Sequence, residues 1–307
     1  MRLGVLDVGS NTVHLIVVDA HRGARPVPES SEKRVLRLMR YLQPDGSISD
    51  EGVEVIMRTM HEAAELIESA SLDELLPLAT SALREAKNGP ELLERIRTEA
   101  GIDLHVMTGA GEARTTFLAV RRWFGWAAGR IMLVDIGGGS LELASGRDEM
   151  PDVALSIPLG AGRTTMEFLK HDPPLEDELD RLRAHARKLT REAAKEFNGS
   201  KRADQYVGSS KTIRSLARLA GSVVDGIGPN DRVTLRRWQL DDWVPRLARL
   251  TADARPALPG ITADRTFQIV AGGVVLCEVM DAFDIAELDV SPWAMREGVL
   301  LDYLDTM

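Results

Sequence analysis

Residues 130–147, RIMLVDIGGGSLELASGR, decide how this chain is read. Ile131, Met132, Leu133 and Val134 form a short apolar run, the pattern of a buried strand. Asp135 stands where that strand should stop. Gly137, Gly138 and Gly139 can take backbone angles closed to other residues and leave room for close approach. Leu141, Glu142, Leu143 and Ala144 then alternate as a return strand. A carboxylate beside a glycine turn suits a phosphate chain. The turn's N–H groups can face phosphate oxygens, and Asp135 can hold a cation that bridges to them. From GGG alone, a plain glycine hairpin is an equally good reading.

A second copy shifts the balance. Residues 4–20 read GVLDVGSNTVHLIVVDA, in which Asp7 matches Asp135, Gly9 matches Gly137 and Thr12 matches Ser140. Leu15 matches Leu143, and His14 occupies the place of Glu142. Two copies 128 positions apart do not make a solenoid. They predict two similar α/β domains, each opening with a phosphate-holding hairpin. Ser10, Asn11 and Thr12 of the first turn, and Gly137, Gly138, Gly139 and Ser140 of the second, are the candidate phosphate contacts.

The 307 residues suffice for two domains of ordinary size. Hydrophobic residues make up 44% and charged residues 28%, a soluble globular profile. No stretch approaches the roughly 20 apolar residues of a membrane span, and no signal region precedes the first strand. The expectation is a cytoplasmic protein with no membrane partner. The net charge of −9 argues against a nucleic-acid partner but permits a polyanionic substrate in a locally basic cleft. The single cysteine, Cys277, excludes an internal disulfide and reads as a buried small hydrophobe.

Between the hairpins, Lys33, Arg34, Arg37 and Arg40 form a basic segment, either a solvated edge or an electrostatic collar for phosphates. Residues 49–69 have the helical period, with Ser49 as N-cap. Thr80 and Ser81 open a helix whose first turn carries Arg84, where the dipole favours anions. Glu112 lies at the start of the helix ending near Phe124. Beyond the second hairpin, residues 176–197 read as a charged surface helix. Ser209, Ser210, Lys211 and Thr212 form a small-residue turn between strand and helix. Trp238 and Trp243 read as helical core, residues 261–283 as one long apolar helix, and the terminal helix as starting near Pro292.

Taken together, DVGSNTVHL, TSALREA, GAGEARTTFLAV, DIGGGSLEL, SIPLGAGRTT, VGSSKTIRSLA and SPWAMREGVL resemble the exopolyphosphatase and guanosine pentaphosphate phosphohydrolase family. They occur in family order across nearly the whole chain. The match is nearest to short, two-domain actinobacterial-type exopolyphosphatases. The resemblance implies two ribonuclease-H-like domains, as in actin, sugar kinases and heat-shock chaperones, facing across a cleft. The expected division is residues 1–124 with 294–307 against residues 125–293, with the protein a homodimer. The chain departs from the family pattern at His14, often Arg, at the lone Glu112 of Ala110-Gly111-Glu112-Ala113, and at Ser209-Ser210-Lys211-Thr212, often GGT.

The resemblance gives Glu112 the water-activating role in hydrolysis of a phosphoanhydride. An ionised Glu suits it, and burial would raise its pKa toward neutrality. Asp7, Asp135 and Glu142 would form a hard oxygen site for magnesium, with manganese as the alternative. Arg84 and Lys211 would bind phosphate, with Ser209, Ser210 and Thr212 as further phosphate contacts in the turn that holds Lys211. His14 reads as a strand histidine rather than a metal ligand. The resemblance implies inorganic polyphosphate as substrate, with short chains favoured, and pppGpp, converted to ppGpp, as the alternative. Two further readings are a kinase of the same superfold, suggested by Ala271-Gly272-Gly273, and a non-catalytic phosphate sensor.

Overall fold

The computed structural model describes residues 1–307 except 22, 24, 25, 200 and 222–232, so part of the expected turn after the first hairpin lies outside the described residues. The first half runs β1 (Arg2–Val8), β2 (Thr12–Asp19), β3 (Ser30–Val35), α1 (Asp50–Ser69), β4 (Glu74–Ala79), α2 (Ser81–Glu85), α3 (Gly89–Glu99), β5 (His105–Val106) and α4 (Gly109–Phe124). The second runs β6 (Ile131–Ile136), β7 (Leu141–Gly146), β8 (Val153–Ile157), α5 (Ala161–Phe168), α6 (Glu176–Glu196), β9 (Gln205–Gly208) and α7 (Lys211–Leu219). It continues through β10 (Thr234–Arg236), α8 (Arg237–Ala248), α9 (Ile269–Ala282), β11 (Glu287–Val290) and α10 (Met295–Thr306).

The repeat seen in the hairpins extends to whole sheets. The first sheet has the order β3-β2-β1-β4-β5. Read in the matching direction, the second is β8-β7-β6-β9-β11 with β10 added at its edge. In each, two antiparallel pairs are followed by two parallel ones. This is the duplicated ribonuclease-H-like α/β architecture.

Helices follow from period and capping. The Ser49 hydroxyl accepts from the Gly52 amide at 3.3 Å, and Ile56, Met60 and Ala63 turn the buried face of α1 into the core of the first sheet. Each fully buried aliphatic of this kind is worth about 1.5–3 kcal/mol. In the second half, α9 is buried almost all round, which its uniform apolarity requires. A Cβ on Gly272 would lie 2.5 Å from the Thr212 methyl, so the glycine allows α9 to approach α7. Cys277 is half-buried on α9, and burial pushes its thiol up to about 12.

Three expectations change. Residues 263–268 form turns, and α9 begins only at Ile269, because Arg265 and Gln268 are held in successive turn hydrogen bonds. Trp238 is 61% exposed, while Leu240, Val244 and Leu247 make the buried face of α8. The last helix starts at Met295, where the Glu297 side chain accepts from the Ala294 amide at 2.8 Å.

The two halves are interlaced. Although α4 precedes residue 125, its Ala113, Phe117 and Val120 pack on Ile131, Leu133 and Ala144 of the second sheet. Arg121 fastens that end, donating to the carbonyls of Gly129 at 2.6 Å and Arg147 at 2.8 Å. In turn α10 returns to the first sheet, with Leu300 and Leu304 against Leu3, Val5 and Ile16. A boundary at residue 124 therefore follows the chain but not the packing. Where α10 crosses α4, a Cβ on Gly298 would overlap the Thr115 carbonyl oxygen. Gly298→Ala is expected to cost about 1–3 kcal/mol, the usual penalty of overpacking, measured as a lower urea midpoint at unchanged m-value.

Candidate active site

Register places the first residues of the site. In β1–β2, Asp7 lies opposite His14; in β6–β7, Asp135 lies opposite Glu142. Each turn closes in the same way, Gly9 N–H to Thr12 C=O at 2.9 Å and Gly137 N–H to Ser140 C=O at 2.9 Å. The turns meet: a Cβ on Gly138 would sit 3.0 Å from the Ser10 Cβ. Ser10 and Ser81 hydroxyls are hydrogen-bonded at 3.0 Å. Between the hairpins lies a cavity of about 170 Å³.

Asp7, Glu112, Asp135 and Glu142 all line the cavity. Thr108 caps α4 by accepting from the Gly111 amide at 3.0 Å, which fixes Glu112 in the first turn. Burial pushes the Glu112 carboxyl up to about 7, against the pull of the Arg84 guanidinium that it accepts from. Arg84 is itself held by the Met107 carbonyl at 2.7 Å. Burial also raises Asp7, Asp135 and Glu142, with Glu112 and Asp135 adding repulsion at Glu142.

Four cations line the same cavity: Lys211, Arg214, Arg265 and Arg296. The Arg296 guanidinium lies 3.6 Å from Asp7 and donates to His14 Nδ1. Burial, followed by Arg296 and Lys33, lowers the His14 pKa to about 3. A neutral ring accepting at Nδ1 carries its proton on Nε2, which donates to the Ser31 hydroxyl at 2.7 Å. Both ring nitrogens are thus used, and His14 serves to place Arg296. Burial, with Lys33 beside it, lowers Lys211 to about 8. Three buried donors on this cavity have no hydrogen-bond partner: Asn11 Nδ2, Arg265 Nε and Arg296 Nε. A buried unsatisfied donor costs about 1–3 kcal/mol, so the walls of this cavity carry polar groups whose hydrogen-bonding capacity is not used up.

Of the residues expected from sequence, Asp7, Ser10, Asn11, Thr12, Glu112, Asp135, Gly137, Gly138, Ser140, Glu142, Ser210 and Lys211 come together on this cavity. Four do not. Arg84 lines a different cavity and donates to Glu112. Gly139 is turned against Ser81 and Ser10. Ser209 is fully buried and donates to Asp135. Thr212 is fully buried against Gly272. The expected three-carboxylate metal cage is also not preformed: among the described residues, no three His, Cys, Asp or Glu side chains are grouped to hold one ion. Each carboxylate has its own partner: Arg296 for Asp7, Ser209 for Asp135, and Ser156 at 2.9 Å for Glu142.

Sequence reasoning missed the three arginines. Arg214 and Arg296 lie inside the quoted segments VGSSKTIRSLA and SPWAMREGVL, so the signal was present. Arg265 gave none, since its segment read as apolar helix.

With this geometry, the comparisons with known proteins are direct. The profile of the Ppx/GppA phosphatase family matches residues 16–307. The chain belongs to that family. Exopolyphosphatase 1 of Mycobacterium tuberculosis is 48% identical over 313 residues, covering 100% of this chain and 89% of the relative. The exopolyphosphatase from Cytophaga hutchinsonii superposes with a TM-score of 0.88 at 26% identity, covering 100% of this chain and 99% of that one. The Aquifex aeolicus Ppx/GppA family member gives 0.79 at 26% identity, covering 100% and 98%.

The raised Glu112 pKa has a measurable sign. The ordinary value is 4.5 and the folded value about 7, so this group favours the fold fully below about pH 4.5 and loses that contribution as pH rises through about 7. In carboxyl-carbon NMR titration, Glu112 is expected to titrate near pH 7. Arg84→Met should move the midpoint upward, since it removes the opposing cation.

Proposed function

We propose that this chain is an exopolyphosphatase, hydrolysing the terminal phosphoanhydride of inorganic polyphosphate to orthophosphate. The observation that carries the reading is the set of four cationic side chains, Lys211, Arg214, Arg265 and Arg296, lining the same cavity as the buried carboxyl of Glu112. Guanidinium and ammonium groups suit phosphate oxygens, and a carboxylate ionised near neutrality suits a water proton. The 48% identity to exopolyphosphatase 1 supports the same substrate.

In this reading Glu112 orients a water and takes its proton as the oxygen attacks the terminal phosphorus in line. The bond to the next phosphate breaks, and the shortened chain leaves with that oxygen. Arg265, Arg296 and Asn11 hold the non-bridging oxygens and balance the charge that spreads over them. Arg84 keeps Glu112 aimed and tempers the rise in its pKa. Magnesium would be held by Asp7 and Asp135, the equivalent acids of the two strand ends; four desolvated carboxylates around one cavity fit a cation. One or two carboxylates suffice, because magnesium keeps waters and takes phosphate oxygens. When bound, it supplies charge neutralisation for the phosphate oxygens.

Phosphate release should be measured on short polyphosphate, long polyphosphate and pppGpp, each with magnesium. Turnover on polyphosphate is expected to rise with pH through about 7. Glu112→Gln should lower it by about 100-fold or more while polyphosphate binding persists. Full turnover in that variant would overturn the role of Glu112, and release from pppGpp alone would overturn the substrate. Arg265→Ala and Arg296→Ala should each raise KM by about tenfold or more, the scale of a charge-assisted hydrogen bond.

A further inference from the structure

A second cavity, of about 590 Å³, adjoins the first. Lys33, Arg37 and Arg40 face it from the first half of the chain, and Ala263 and Asp264 from the second. Asp264 stands between the two cavities. Its Oδ2 accepts from Lys33 Nζ at 2.5 Å, on the wall of the outer cavity, and from Lys211 Nζ at 2.9 Å, on the wall of the inner one. Its Oδ1 accepts from the Thr262 hydroxyl at 2.5 Å, and Arg265 Nε lies 3.7 Å from Oδ2. One carboxylate therefore occupies two lysines, one on β3 and one at the start of α7, with an arginine close by.

The outer cavity is itself built for an anion. Arg37 takes a left-handed backbone, φ 55°, a conformation non-glycine residues adopt only when surroundings enforce it. Its Nη2 donates to the Ala263 carbonyl at 3.1 Å, and its Nε is buried without a hydrogen-bond partner. Arg40 lies over the Phe267 ring at 4.3 Å, which holds the guanidinium flat. Asp264 is the one acid on this cavity's lining, against three cations.

We propose that Asp264 is a built-in stand-in for phosphate, a specificity residue that a polyphosphate chain must displace from Lys33 and Lys211 to pass from the inner cavity to an outer subsite formed by Lys33, Arg37 and Arg40. This rests on the polyphosphate reading above. A chain short enough for the inner cavity leaves Asp264 in place. A longer chain competes with it, so the carboxylate biases the enzyme toward short chains. Removing its charge frees two lysines for the incoming phosphate.

The test is kcat/KM on short and on long polyphosphate, for wild type, Asp264→Asn and Arg40→Gln. Asp264→Asn is expected to raise the long-to-short ratio by about tenfold, the scale of one charge-assisted hydrogen bond. Arg40→Gln should lower that ratio, and its reading stands even if Asp264→Asn fails to fold. An unchanged ratio in Arg40→Gln overturns the outer subsite. An unchanged or lower ratio in a folded Asp264→Asn overturns the competitor role and leaves Asp264 as a tie between β3 and α7. These failures are distinct from failure of the parent reading, in which wild type would release no phosphate from polyphosphate of either length.

Discussion

The structure turns on the contact between two hairpin turns, the second of which presents bare glycine backbone at the closest point. Gly138 approaches Ser10, and Gly139 approaches Ser10 and Ser81, at distances a Cβ would not comfortably permit. That approach brings two strand ends, each closed by an acid, to the same small volume. Water is largely excluded there, so the carboxylates are pushed toward neutrality and repel one another. The arginines lining the cavity are desolvated as well, and burial lowers Arg214 and Arg265. A cleft with both signs of charge held out of water stores the electrostatic preorganisation that phosphoryl transfer needs.

Interlacing of the two halves keeps the turns in place. Because α4 packs on the second sheet and α10 on the first, Glu112 and Arg296 each reach the cavity from a helix that crosses between the repeated units. Lys33 and Arg37 reach toward the 262–266 turn from the other side. Any relative movement of the sheets would alter the acids, the cations and the Asp264 bridge together.

Much of the fold was legible. The two Asp-x-Gly hairpins, the helix over 50–69 and the close packing at Gly272 are local or periodic signals, and all three are present. The site was legible where it lay in those hairpins. It was not legible where a side chain's direction mattered. Arg84, Ser209 and Thr212 lie at the expected places in the chain but face other partners. Nothing in a one-dimensional pattern says which way a side chain on a short turn will point.

By itself the sequence determined the duplicated strand-turn-strand units and the acid at each strand end, because strand period and glycine conformational freedom act over a few neighbouring residues. Only the tertiary structure decided the cation set of Arg214, Arg265 and Arg296, the pairing of Arg84 with Glu112, and the bridge through Asp264. Those depend on groups as far apart in the chain as Lys33 and Asp264 meeting in the assembled fold, and it is their partial desolvation there, a property of the assembled volume, that sets their strength.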